Sequence, residues 1–188
     1  MGLPYAWPSS RTSSDRVANR PRRLLIGEGA GIGPTLFLAE QMRAAPVASA
    51  DAALAASADS STAWTPLVLL GSDTPFPFRP RPSVIVVPGI PTGVIACMPL
   101  LEEWGIPSRL ASTADLPGCF EGTVTDLADA WLSSLSPADL AEVEILSCGP
   151  APILEATAAL ARRHDVPCQT SSPDVPTAHG SPPAANRS

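Results

Sequence analysis

Short β-branched or leucine-rich runs alternate along this chain with stretches whose apolar residues recur at helical spacing. The runs Arg23–Ile26, Pro66–Leu70, Val84–Val87, Ser108–Ala111, Val143–Ser147 and Pro167–Thr170 predict strands. Five of them hold few charges, the pattern of a parallel sheet covered on both faces. Helices fit the gaps. Thr35–Arg43 is one, and Met98–Trp104, stopped by Gly105, is another. In Thr123–Leu132 the residues Thr123 and Asp126 stand at capping-box spacing, and Val124, Leu127 and Trp131 share a face. A last helix begins after Pro152, turns Ile153, Leu154, Thr157 and Leu160 inward, and ends on Arg162, Arg163 and His164, cations suited to a helix C-terminus. This alternation predicts an α/β fold: a Rossmann-like, doubly wound, mainly parallel sheet of five to six strands with helices on both faces.

The flanks carry no such period. Residues 1–21 read as a disordered leader, 171–188 as a disordered tail, and 44–63, rich in Ala and Ser, as an insertion that buries little. One domain, 22–170, remains.

Within it the octapeptide Gly27-Glu28-Gly29-Ala30-Gly31-Ile32-Gly33-Pro34 joins the first strand to the first helix. Glycines at every second position are tolerated where a chain turns sharply or lets a ligand approach its amides. A strand entering and a helix leaving aim free N–H groups and the positive end of the helix dipole at one point, which suits a pyrophosphate. The match to G-x-G-x-x-G is imperfect, because Pro34 stands where the third glycine belongs; proline in the first helical turn gives up an N–H that lacks a partner anyway. A ligand-free glycine-rich turn fits the octapeptide as well. Cys148-Gly149-Pro150, after the strand Val143–Ser147 and before a helix, repeats the layout, and both corners are expected to face one crevice.

Composition narrows the classes. The chain of 188 residues is 45% hydrophobic, enough for one core, and carries a net charge of −6 with scattered arginines and no lysine. No basic face is left for nucleic acid or anionic lipid. No apolar stretch approaches a membrane span and no secretion signal is visible, so the expected location is cytoplasmic. Cys97, Cys119, Cys148 and Cys168 lie far apart without a C-x-x-C pair and read as small core residues rather than metal ligands. His164 and His179 read as solvated surface groups, and Glu102-Glu103 as a solvated helix face, so no catalytic residue and no metal site is assigned.

On Gly27–Pro34, on Gly118-Cys119-Phe120-Glu121-Gly122-Thr123-Val124-Thr125-Asp126, on Cys148-Gly149-Pro150 and on Pro167-Cys168-Gln169, the chain resembles the nicotinamide-binding domain of the ferredoxin–NADP reductase-like flavoproteins. Within that family it is most like the dihydroorotate dehydrogenase electron transfer subunits of pyrimidine biosynthesis. The resemblance covers residues 20–170. It implies that Gly29, Ala30, Gly31, Ile32, Gly33 and Pro34 hold the pyrophosphate and nicotinamide ribose of NAD(H). By the same resemblance Gly71, Ser72 and Asp73 meet the adenosine ribose, Cys148 sits near the nicotinamide ring, and Gly149 and Pro150 bound that pocket. An acidic Asp73 favours NAD over NADP, although Arg79 and Arg81 are at hand for a 2′-phosphate.

The departures from the family matter as much. Residues 1–21 cannot supply the barrel that holds FAD, and no cysteine cluster for a 2Fe-2S centre follows Gln169. Oxidoreductase activity is therefore expected only with a flavin-bearing partner protein or the dihydroorotate dehydrogenase catalytic subunit. The alternative is an inactive, truncated paralogue that keeps the fold for an interaction or for no function. With the barrel missing, an apolar patch is expected near Pro34, Phe120 and Cys148.

Overall fold

The computed structural model describes residues 22–44 and 66–173. The expected leader 1–21, nearly all of the insertion 44–63 and most of the tail lie outside the described residues. In chain order the elements are β1 (Arg22–Glu28), a single 3-10 turn (Gly29–Gly31), α1 (Ile32–Ala44), β2 (Leu67–Gly71), β3 (Arg81–Pro82), β4 (Ala96–Cys97), α2 (Pro99–Glu103) and β5 (Ser108–Ser112). Then follow β6 (Phe120–Glu121), α3 (Val124–Ser134), α4 (Pro137–Leu140), β7 (Val143–Cys148), α5 (Ala151–Arg163) and β8 (Cys168–Ser171).

Six strands form one sheet in the order β6-β5-β2-β1-β7-β8, every neighbouring pair parallel. The fold is α/β and Rossmann-like. Strand alternation divides the core: Leu24 and Ile26 of β1 face α3 and α5, packing with Leu127, Trp131 and Leu160, while Leu25 faces α1 and α2 with Ala39 and Leu101. Those three residues of β1 are fully buried, as a central strand covered on both sides requires. From β1 the chain steps outward to β2, β5 and β6, then returns to the other side of β1 as β7 and β8. The direction of winding thus reverses between β1 and β7, and the crevice of such a sheet opens at their carboxyl ends.

Local chemistry explains the helix boundaries. The Thr123 side chain accepts from Asp126 N–H while the Asp126 carboxylate accepts from Thr123 N–H, so the expected capping box starts α3. Both α2 and α5 end in a bond closing six residues, Ile106 N–H to Leu101 O at 2.8 Å and Val166 N–H to Ala161 O at 2.9 Å. The left-handed residue is Gly105 in the first and Asp165, with φ 53°, in the second. Across α3 and α5, Asp129 meets His164 Nε2 at 2.6 Å and Arg163 at 3.2 Å, so His164 is a partnered helix end rather than a solvated surface group. His179 lies outside the described residues.

Three expectations need correction. Val84–Val87 bends at Ile85 and joins no sheet; the pairing nearby is the short antiparallel β3–β4, and the sixth strand is β6. Helix α5 starts at Ala151, with Pro152 inside its first turn, where its missing N–H costs nothing. Strand β8 runs Cys168–Ser171, one residue later than the expected Pro167–Thr170.

Candidate functional site

The site is built where β2, β1 and β7 end side by side. Glu28 stands in register with Gly71, and Gly27 with Cys148, so the two βα corners and the end of β2 are brought to one level. Gly29, with φ +55°, turns the chain, and nothing lies within 4 Å of where its side chain would stand. Ala30 is exposed, Gly31 and Ile32 are buried, Gly33 is exposed with open space above it, and Pro34 is half-buried. A Cβ on Gly31 would overlap the carbonyl of Cys148, so the 3-10 turn leading into α1 rests directly on the β7–α5 corner. Sequence separates these corners; the sheet joins them.

Gly71 is buried, Ser72 half-buried and Asp73 exposed. Ser72 N–H donates to Ala111 O at 3.2 Å and Thr113 Oγ1 to Asp73 Oδ1 at 3.1 Å, which fixes the turn after β2 to the end of β5. On the other side Cys148 is 1% exposed, Gly149 is buried and Pro150 is exposed as the residue preceding α5. Burial pushes the Cys148 thiol above its usual pKa, so the sulfur is a neutral, packed group and the corner presents backbone rather than thiolate.

No protein-family model and no curated protein sequence matches this chain. Among solved structures, a ferredoxin reductase in carbazole 1,9a-dioxygenase, in its FAD apo form, superimposes with a TM-score of 0.47 at 18% identity. The alignment covers 84% of this chain and 36% of the reductase, so the chain spans little more than a third of that protein's length.

Several residues of the corner carried no sequence signal as site residues. Thr35 is buried and its hydroxyl donates to Gly31 O at 2.8 Å, tying the turn to its helix. Val124, the first residue of α3, packs over Gly71. Glu28 is half-buried, and its carboxyl is held above the usual carboxylate range, first by burial and then by the charge of Asp73. Its place inside the octapeptide was visible, but its neighbour Asp73 lies in the turn after another strand. The exposed large apolar side chains among the described residues are Phe37, one turn beyond Pro34 on α1, and Val84, Val86, Ile95 and Leu100, while Pro34 and Phe120 are half-buried.

Glu103 is solvated as expected, but Glu102 is not. Glu102 accepts from Val84 N–H at 2.6 Å, Ile85 N–H at 3.3 Å and Ser83 Oγ at 2.9 Å, and Glu103 meets Arg81 at 3.8 Å. Arg81 also donates to Pro99 O. The four cysteines are free, Cys97 and Cys148 buried and the other two half-buried; burial, with Glu144 nearby, pushes Cys168 up to about 11. Among the described residues no helix is long and apolar enough to cross a membrane.

Proposed function

We infer that this chain holds NAD(H) across the carboxyl ends of β2, β1 and β7 and, with a flavin carried by another polypeptide, serves hydride transfer as dihydroorotate dehydrogenase electron transfer subunits do, in the cytoplasm. The observation that carries this reading is the contact of Gly31 with the Cys148 carbonyl, which makes one crevice of two βα corners. The residues present fit the group: open space at Gly29 and Gly33 lets phosphate oxygens approach the amides at the start of α1. Asp73, with one oxygen engaged by Thr113, offers the other to ribose hydroxyls. Arg81, turned to Pro99 and Glu103, is committed elsewhere, which favours NAD over NADP. Gly149 and Pro150 bound the nicotinamide end, and the neutral Cys148 packs beneath it. Bound NADH supplies the hydride, and the protein's share is position.

Titration with NADH, followed by nicotinamide fluorescence, tests the reading. A saturable change is expected well below millimolar cofactor; none at millimolar rejects it. A second reading, a fold kept only for an interaction, draws on Val84 and Val86, which are 88% and 86% exposed. It gains if NADH leaves the unfolding temperature unchanged while a flavoprotein co-purifies.

A further inference from the structure

The end of β1 lies between the two halves of the crevice. A ligand reaching from Gly71-Ser72-Asp73 to Cys148-Gly149-Pro150 must cross Glu28, because Glu28 pairs with Gly71 and its neighbour Gly27 with Cys148. By strand alternation its side chain leaves the sheet on the face of Leu24 and Ile26, towards α3 and α5. There Glu28 Oε2 lies 2.7 Å from the point where a Cβ on Gly71 would stand, beside Val124, so the carboxyl occupies the space that glycine at 71 leaves open. From the other side Gly149 adjoins it: a Cβ there would stand in ordinary contact, 3.5 Å from Glu28 O and 3.7 Å from Glu28 Cβ.

The charged group that acts on it, Asp73, has the same sign. Burial disfavours the Glu28 carboxylate most, and repulsion from Asp73 beyond β2 adds to the effect. From α3 comes Asp126, engaged in the Thr123 cap; from β7, the neutral Cys148; from α5, no carboxylate before the exposed Glu155. No cation is paired with Glu28 or Asp73 among the described residues. A phosphate laid across this junction adds another negative charge to a half-buried carboxylate, and the cheapest relief is a proton.

We propose that Glu28 selects the charge state of this crevice: a dinucleotide phosphate crossing from Asp73 to Cys148 settles over the protonated carboxyl, so binding takes up a proton. The proposal rests on the NAD(H) reading above. Through linkage, one proton taken up per ligand weakens affinity by up to about tenfold per pH unit above the carboxyl's own titration.

The experiment measures affinity for NAD⁺ and for ADP-ribose, which keeps the pyrophosphate without the nicotinamide, from weakly acidic to weakly alkaline pH in the wild-type chain and in Glu28→Gln. Calorimetry in two buffers of different ionisation enthalpy counts the protons. The expected result is uptake approaching one proton per ligand in the wild type, affinity falling as pH rises, and a flat, tighter profile in Glu28→Gln. A flat wild-type profile, or the same slope in Glu28→Gln, overturns the role of Glu28 and leaves the NAD(H) reading standing. No binding of either ligand to either protein at any pH overturns both. The wild-type proton count needs no variant, so a poorly folded Glu28→Gln does not remove the test.

Discussion

Replacing Gly31 by alanine should separate packing from glycine content. The added Cβ meets the carbonyl of Cys148, backbone that cannot yield, so Gly31→Ala should lose about 3 kcal/mol in urea unfolding. Gly33, two residues on and inside α1, has nothing within 4 Å, and Gly33→Ala should gain about 0.5 kcal/mol by restricting the unfolded chain. Equal effects would show that the corners do not touch in solution. The glycine spacing was legible as a turn, but which glycine meets backbone and which meets open space depends on β7, more than a hundred residues away, and no local pattern carries that. The carboxyl pair Glu28 and Asp73 escaped for the same reason.

At the scale of elements, the start of α3 was readable to the residue because its cap is made by neighbours, Thr123 and Asp126, whose chemistry is local, while its end at Ser134 lies two residues past the expected Leu132. The segment Val84–Val87 was not. Its β-branched residues invite a strand, yet the N–H groups of Val84 and Ile85 are taken by the Glu102 carboxylate and Ile85 O by the buried Arg109, at 2.7 Å, so side chains stand where a neighbouring strand would pair. Burial works to raise the Glu102 pKa, but the bonds from Val84, Ser83, Cys97 and Ile85 outweigh it and hold the carboxyl below its ordinary range. A carboxylate depressed in the folded state contributes stability above its unfolded pKa and loses it as pH falls through the folded one. Glu102→Gln should therefore lose about 1.5 kcal/mol at neutral pH. Its deficit against wild type should close in acid, below the normal titration of glutamate. Faster amide hydrogen exchange confined to Val84 and Ile85 at neutral pH checks that the loss is local; a deficit that persists unchanged in acid contradicts the clamp.

For the whole molecule, the apolar runs foretold the parallel sheet, and five of the six predicted strands form it. Strand order was inferred only through the expectation that two corners share a crevice, since pairing between distant segments leaves no periodic trace. The centre of that order is β1, and Leu25, fully buried and in register with Val68 and Leu146 of the two neighbouring strands, is a direct probe of it. Leu25→Ala should cost about 2–5 kcal/mol, a large share of the stability of a domain this size. A midpoint in denaturant shifted by less than the loss of a single methyl group would mean that β1 is not central. The pairing of β1 with β7 also has a consequence for biosynthesis. As the ribosome extends the chain, Leu24 waits for Ile145, so one flank of the first strand stays unmatched until nearly the entire domain has emerged, and the crevice is the last part of the molecule to come into existence.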